Sequence, residues 1–394
     1  LYPPPYGGVS IHIQRLQALL SSSNGIQCMV YDTSLVIKNT KGVMSPRKIK
    51  SWVHIVSSGR KIIHFHNSGL GLKVLAILPL VKISGAKFII TYHSLRDNVG
   101  HLNWFTRKAI SIIFRSVSHF IASNPDIRQK LLLLSAAPER ISVIPAFLPP
   151  TVKEQEIDEI PKEVWNFMDN HNPVISANAF RIILSEGQDR YGIDMCIDLC
   201  ANLRSASPRI GFVFCLPDIG DYEYFSRMEQ RIAQKRIGKS FLFVTKPYQF
   251  YPILMKSDVF VRPTNTDGDA VSLREALYFK VPSVASDAVP RPEGTILFEN
   301  RDVGDFTSKV RHVLDNYEWY KNKLERIKTK DTFEEIWQVY QRVIYLAGNR
   351  HKAYEPRFAI PKIAQGVRKW FKMPVPWWRK NLPTKRRWRG TGTY

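Results

Sequence analysis

Cysteine is scarce. Four residues, Cys28, Cys196, Cys200 and Cys215, are spread over a chain of 394. They are too few for a disulfide scaffold and show no paired metal-ligand spacing, so they read as core thiols in a reducing compartment. Cys196 and Cys200 fall four apart on an expected helix, where a shared buried face accounts for both. Long apolar runs are missing too. The best stretch, residues 74–81, is bounded by Lys73 and Lys82, whereas a spanning helix needs about 20 apolar residues. No repeat of solenoid length is present. Acidic residues are in deficit, 34 against 57 Lys plus Arg, for a formal charge of +23. At 44% hydrophobic and 23% charged, the composition excludes disorder and collagen, and the length implies two packed domains.

The charge is unevenly placed. Residues 1–150 hold 18 basic and 4 acidic side chains, residues 151–350 hold 27 and 29, and residues 351–394 hold 12 and 1. Two basic regions flanking a near-neutral middle imply that one half and the tail face something anionic. Apolar runs at 27–31, 61–65, 87–91, 119–122 and 141–144 alternate with helical stretches such as 104–115, the pattern of a parallel sheet covered on both faces. Residues 151–170 carry Glu154, Glu156, Asp158 and Glu159 and read as an irregular linker. Alternation restarts with strands expected at 174–177, 211–215, 241–244, 259–261 and 283–286, and a closing helix at 333–346. The expected organisation is a first domain over 1–150, a linker over 151–170, a second domain over 171–332, a closing helix over 333–350 and a basic aromatic tail over 351–394. Two doubly wound α/β domains in series would place a ligand cleft between the carboxyl ends of their sheets. The chain opens at Leu1 directly into a Pro-rich segment and Gly7-Gly8. Because such a domain usually begins with a strand, the expectation is that a first strand precedes residue 1.

The most informative stretch is residues 261–277. A strand ends at Val261, a polar loop containing Asp267-Gly268-Asp269 follows, and a helix begins near Ala270, with Glu275 inside it. That order aims a helix N-terminus at the sheet edge, where a phosphate group is readily held. The helix dipole contributes only about 0.3–1 kcal/mol, so cationic side chains must supply the rest. Taken alone, Asp267 and Glu275 also fit a loop acid and a solvated helix charge.

This stretch resembles the donor-site motif of the family 4 retaining glycosyltransferases, in which an acid is followed after seven residues by Glu, Ala, an apolar helix and a Pro-Val-Val-Ala-Ser strand. The match is Asp267, Glu275-Ala276-Leu277 and Val281-Pro282-Ser283-Val284-Ala285-Ser286-Asp287, with Asp267 in place of the usual Glu. The resemblance extends to about residue 347. It implies a GT-B fold, two doubly wound Rossmann-like domains facing a central cleft. It implies that Glu275 accepts hydrogen bonds from the donor ribose, that Asp267 contacts the donor sugar, and that Gly268, Ala270, Val271 and Ser272 hold the pyrophosphate. The family also places an Arg and a Lys near the leaving phosphates. Arg181 matches the first, while Tyr191 stands at the Lys position and Arg190 beside it offers a replacement charge. Gly7 and Gly8 would line the acceptor side of the cleft, and His93, after a strand, would reach the reacting sugar. His64 and His66 also end a strand and share one side by alternation. Asp267-Gly268-Asp269 has the spacing of a cation motif, but its place in the acid-Glu pattern argues for sugar contacts, so neither a metal nor a cofactor is expected.

The tail interleaves Trp370, Trp377, Trp378 and Trp388 with Lys and Arg. Such a segment suits a membrane interface or single-stranded nucleic acid, and each cation near an anionic leaflet contributes about 1 kcal/mol. The sugar-nucleotide cleft favours the membrane. The expectation is therefore a retaining, metal-independent hexosyltransferase, cytoplasmic and peripheral at the inner face of the membrane. It would move a sugar from a nucleotide-sugar donor to a glycan or lipid-linked acceptor in cell-surface polysaccharide synthesis, with an anionic membrane surface and no nucleic acid as partner. A sugar-nucleotide epimerase of the same fold and a nucleic-acid-binding protein using the tail remain as alternatives.

Overall fold

The computed structural model describes residues 2–3, 7–22, 26–32, 42–45, 53, 62–70, 72–95, 99–185, 187–267, 270–327 and 331–348. Gly268 and the basic tail lie outside them. In the first half, helix α1 (Gly8–Ser21) is followed by two short strands, β1 (Val30–Tyr31) and β2 (Val43–Met44). Then come β3 (Ile62–Ser68), α2 (Leu78–Ser84), β4 (Lys87–Ser94), α3 (Trp104–Ser116), β5 (His119–Ala122), α4 (Pro125–Leu133) and β6 (Ile141–Val143). Strands β3 to β6 form a parallel sheet in that order. The middle strand β4 is an apolar run because both of its faces are covered. Polar caps start the helices: Asn103 accepts from the Thr106 amide at 2.8 Å and Asn124 from the Ile127 amide at 2.9 Å.

The second half runs α5 (Glu154–Asp158), α6 (Lys162–Asn170), β7 (Val174–Asn178), β8 (Leu184–Ser185), β9 (Gln188–Asp189), α7 (Ile193–Arg204), β10 (Gly211–Cys215), α8 (Tyr222–Gln234), β11 (Phe241–Val244), α9 (Tyr251–Lys256), β12 (Val259–Arg262), α10 (Val271–Tyr278), β13 (Ser283–Ser286), β14 (Ile296–Phe298), α11 (Val303–Asp315), α12 (Tyr317–Arg326) and α13 (Thr332–Gly348). Its sheet is parallel throughout, ordered β11-β10-β7-β12-β13-β14. Counted from β7, that is 3-2-1-4-5-6, the doubly wound order whose direction reverses between the first and fourth strands. One face carries Phe212, Phe214, Val259 and Val261 against α7 and α11. The other carries Val174, Val213 and Val244 against Ile160, Val164 and Met168.

Residues 151–170 differ from the expected irregular linker, since α5 and α6 occupy most of them. Val164 and Met168, one helical turn apart, bury against the second sheet, and that packing outweighs the acidic outer face. Strand β14 was not anticipated, because its three residues are too short to show a period. The 27–31 run contributes only β1.

Helix α13 returns to the first domain. Its Ile336, Val339, Tyr340 and Val343 pack with Leu16 and Leu20 of α1 and with Ile89, Ile121 and Ile144 of the first sheet. The chain thus crosses between domains twice, and the first domain's core is complete only when the last helix is in place. Ile336→Ala is expected to cost about 2–5 kcal/mol in denaturant unfolding. Ile344→Ala, on the exposed face of the same helix, should stay within about 0.5 kcal/mol. Equal effects at the two positions would contradict this packing.

Candidate functional site

At the switch point, β7 ends at Asn178 and β12 at Arg262, and the segments leaving them diverge around a cleft. Asn178, Tyr191, Lys246, Arg262, Asp267, Ala270, Val271, Ser272 and Glu275 line it from the second domain, and Gly7, Gly8, Ile11 and Arg15 from the first. Two helix starts meet across it. Helix α1 begins at Gly8, with Gly7 accepting and donating hydrogen bonds through Ser10 Oγ at 2.8–3.0 Å. Helix α10 begins at Val271 after Ala270, without a side-chain cap among the described residues. A Cβ built on Gly8 would lie 3.6 Å from Val271 Cγ2, an ordinary van der Waals contact, so the two helix starts pack against each other at this point. Each start presents amide N–H groups and partial positive charge toward the same space. At Gly192, where φ is +68°, any Cβ would run into the Pro263 carbonyl; this contact seats the 187–192 turn against the end of β12.

Glu275, buried on α10, pairs through Oε1 with Arg15 Nη2, and Arg15 Nη1 donates to the Leu148 carbonyl at 2.9 Å. The pair joins the two domains at the floor of the cleft. Asp267 is held by two guanidinium groups: Arg262 Nε donates to its Oδ2 at 3.0 Å and Arg262 Nη2 to Oδ1 at 3.3 Å, while Arg291 Nη1 donates to Oδ2 at 3.0 Å. Thr264 adds its hydroxyl at 3.2 Å. Burial alone would raise the Asp267 pKa, but the charges and hydrogen bonds of Arg262 and Arg291 outweigh it and hold the carboxyl below its usual value. Arg262 also donates to the Asn178 carbonyl at 3.0 Å and lies 5.3 Å from the Tyr191 ring centroid, so Tyr191, at the expected Lys position, packs on the cation.

Of the residues expected from the sequence, Gly7, Gly8, Asp267, Ala270, Val271, Ser272 and Glu275 come together in the cleft. Arg181, Arg190 and His93 are not among its lining residues. Arg181 is exposed and pairs with Asp218 at 3.5 Å. Arg190 binds the Ile183 carbonyl through its backbone amide, and its Nε is buried without a partner among the described residues. His93 is buried beside His66 and His12 in the first domain. Sequence reasoning missed Arg15, Lys246, Arg262 and Arg291. Two of them left a trace: Arg262 ends an otherwise apolar strand, and Arg15 falls one turn after Ile11 on the inward face of α1.

Residues 182–316 match the family model described as Glycosyl transferases group 1. No curated protein matches the chain in sequence. A glycosyltransferase structure from Rickettsia africae ESF-5 superposes with a TM-score of 0.57 at 13% identity, covering 78% of this chain and 84% of that one. The Anabaena protein HepE in complex with UDP gives 0.54 at 12%, covering 76% and 80%. The lipopolysaccharide outer core galactosyltransferase WaaB, in its apo form, gives 0.54 at 14%, covering 88% and 98%. The fold is GT-B. In GT-B terms the chain has its two Rossmann-like domains, its crossing last helix and its central cleft in place. No helix among the described residues is long and apolar enough to cross a membrane.

Deep in the first GT-B domain, His12, His64, His66 and His93 cluster. Burial pushes the pKa of His12 down to about 4, against a partly compensating hydrogen bond to the Ala146 carbonyl, and that of His64 down to about 3. Burial also lowers His66, His93 and, to about 4, His119. Below the ordinary histidine value the unfolded chain takes up protons that the folded chain refuses. Stability contributed by these groups is therefore full above about pH 6.5 and falls as the pH drops toward 4. Denaturant unfolding across that range should show a steady loss of stability, and a flat profile between pH 6.5 and 4 would contradict the burial of these rings.

Proposed function

We propose that this chain is a glycosyltransferase that moves a sugar from a nucleoside diphosphate donor to a glycan or lipid-linked acceptor, with the anomeric configuration retained, in cell-surface polysaccharide synthesis. The observation that carries this reading is the convergence, at one switch-point cleft, of two helix starts, three cations and a buried carboxylate. The helix starts at Gly8 and Val271, with Arg15, Arg262 and Lys246, suit a diphosphate. Glu275 suits a pair of ribose hydroxyls. The apolar walls formed by Val244, Phe250 and Ile253 suit a nucleobase. The match over residues 182–316 covers this donor-side half, and the HepE complex with UDP and the galactosyltransferase WaaB offer a fold-level analogy for donor and acceptor class.

In this reading, bond cleavage loads negative charge onto the departing diphosphate, and preorganised N–H groups and guanidinium groups meet it without a divalent cation. Asp267 already accepts at least four hydrogen bonds. Its first task is to hold Arg262 at the cleft edge, and any contact with the donor sugar is shared with that task. The acceptor hydroxyl attacks from the face the leaving group vacates, with the first domain presenting it.

Glu275→Gln keeps the shape of the side chain and removes the charge. Loss of charged hydrogen bonds worth about 1.5–3 kcal/mol should weaken binding of the nucleoside diphosphate by tenfold or more in calorimetry, and unchanged affinity would remove the donor-site assignment. With labelled donor sugar, label should appear on a second sugar or lipid; recovery of an altered donor would instead mark an epimerase. The basic tail is proposed to hold the enzyme on an anionic, cytoplasmic membrane face. Deleting residues 351–394 should move the protein from sedimented anionic vesicles to the supernatant, and equal partitioning would dismiss that role.

A further inference from the structure

We propose that His12, His66 and His93 form a binding site for a divalent transition-metal ion, zinc being the best fit. The three imidazoles come from α1, β3 and β4, and one ring nitrogen from each falls in a group whose members all lie within 4.8 Å of one another. The separation of His66 Nδ1 and His93 Nε2 is 3.1 Å. Tetrahedral zinc with Zn–N bonds near 2.0–2.1 Å needs nitrogens about 3.4 Å apart. One edge of the tetrahedron is therefore already close to size, and the remaining ligand-atom separations, all within 4.8 Å, need to shorten by no more than about 1.4 Å.

The protonation pattern of His12 points the same way. Its Nδ1 lies 3.0 Å from the Ala146 carbonyl oxygen. A carbonyl can only accept, so the proton resides on Nδ1 and Nε2 carries a lone pair. That Nε2 is buried without a hydrogen-bond partner among the described residues, on a side chain only 2% exposed. Leaving a buried acceptor unpaired is unfavourable, and a backbone carbonyl on the far nitrogen is the usual orienting contact of a metal-bound imidazole. Between His66 and His93 a single proton is shared. A metal that takes both lone pairs displaces it to the far nitrogen of the donor ring, with no net change of protonation.

His64 sets the limit of the cluster. Its ring lies tilted against that of His66, with centroids 4.2 Å apart, but its two nitrogens are engaged by Tyr340 Oη and Thr91 Oγ1, each at 2.7 Å. It therefore walls the site instead of ligating. A set of three neutral imidazoles with no carboxylate suits zinc, cobalt, nickel or copper and leaves a fourth position for water or a small anion. A bound ion would staple α1 to the ends of β3 and β4. Because α1 also carries Gly8 and Arg15, the staple would order the first domain's side of the cleft.

The test uses the full chain, stripped with chelator. Titration with Co²⁺ should give the visible d–d band of a tetrahedral ion at one equivalent per chain, and Zn²⁺ should raise the unfolding midpoint. In His12→Gln and His66→Gln the band should be lost. It should persist in His171→Gln, a histidine outside the cluster whose ring contacts backbone carbonyls. X-ray absorption on the zinc-loaded wild-type chain should show three imidazole nitrogens, a readout that does not depend on a variant folding. Absence of stoichiometric binding, a band unchanged in both cluster variants, or a coordination shell without three imidazoles would each overturn the proposal.

Discussion

The buried ion pair between Arg15 and Glu275 is the contact on which the cleft depends. It spans 260 positions of sequence and joins the helices whose starts frame the ligand space. A pair taken out of water gains little net stability, yet removing one partner leaves a buried charge that costs about 3–5 kcal/mol. Neither residue is therefore easily changed alone. Under the proposed reading, a ribose that reaches Glu275 must share this carboxylate with Arg15. Donor occupancy and the spacing of the two domains then become one equilibrium, and helix α13, packed into the first domain's core, is the second tether on that motion.

The Asp267 cluster solves a different problem. Arg262 and Arg291 would repel each other and would be expensive to bury, and the carboxylate between them allows both to stay charged. Arg291 donates further to Thr264 Oγ1 at 2.9 Å and to Ser286 Oγ at 3.1 Å, which fixes the loop after β12 to the end of β13. The loop that opens toward α10 is thus braced by charge on one side and by the Gly192–Pro263 contact on the other. An aspartate fits between two such guanidinium groups at about 3 Å. A longer carboxylate in the same place would have to project further into the cleft.

The parallel strands were legible because strands covered on both faces read as continuous apolar runs, so β10, β11 and β13 fall where the sequence puts them. Helices α5 and α6 were not, since Glu154, Glu156, Asp158 and Glu159 crowd the segment and hide the spacing of Val164 and Met168. In the site, Asp267 and Glu275 could be found because one loop and one helix carry both. Arg15, Arg262 and Arg291 meet only through the fold, and no local pattern joins them. His93 was recognised as a strand-end histidine, but its partners His12 and His66 lie on other elements, so its burial among them could not be read from its own segment.

Charge totals hide the polarity of the cleft in the same way. Residues 151–350 are nearly neutral overall, yet the edge they give to the cleft holds Lys246 and Arg262, with Asp267 already spent on the arginines. The first domain answers with Arg15 and another positive helix start. Two like-signed surfaces thus face each other with Glu275 as the acid joining them at the floor, and bringing them closer raises their mutual repulsion as water leaves and the local dielectric falls. A diphosphate between them reverses the sign of that energy, because each approach then strengthens an attraction to the same anion. Under the proposed reading, closure driven in this way would occur when the donor is bound and weaken when the charge departs, tying exclusion of water to the state in which water would waste the donor.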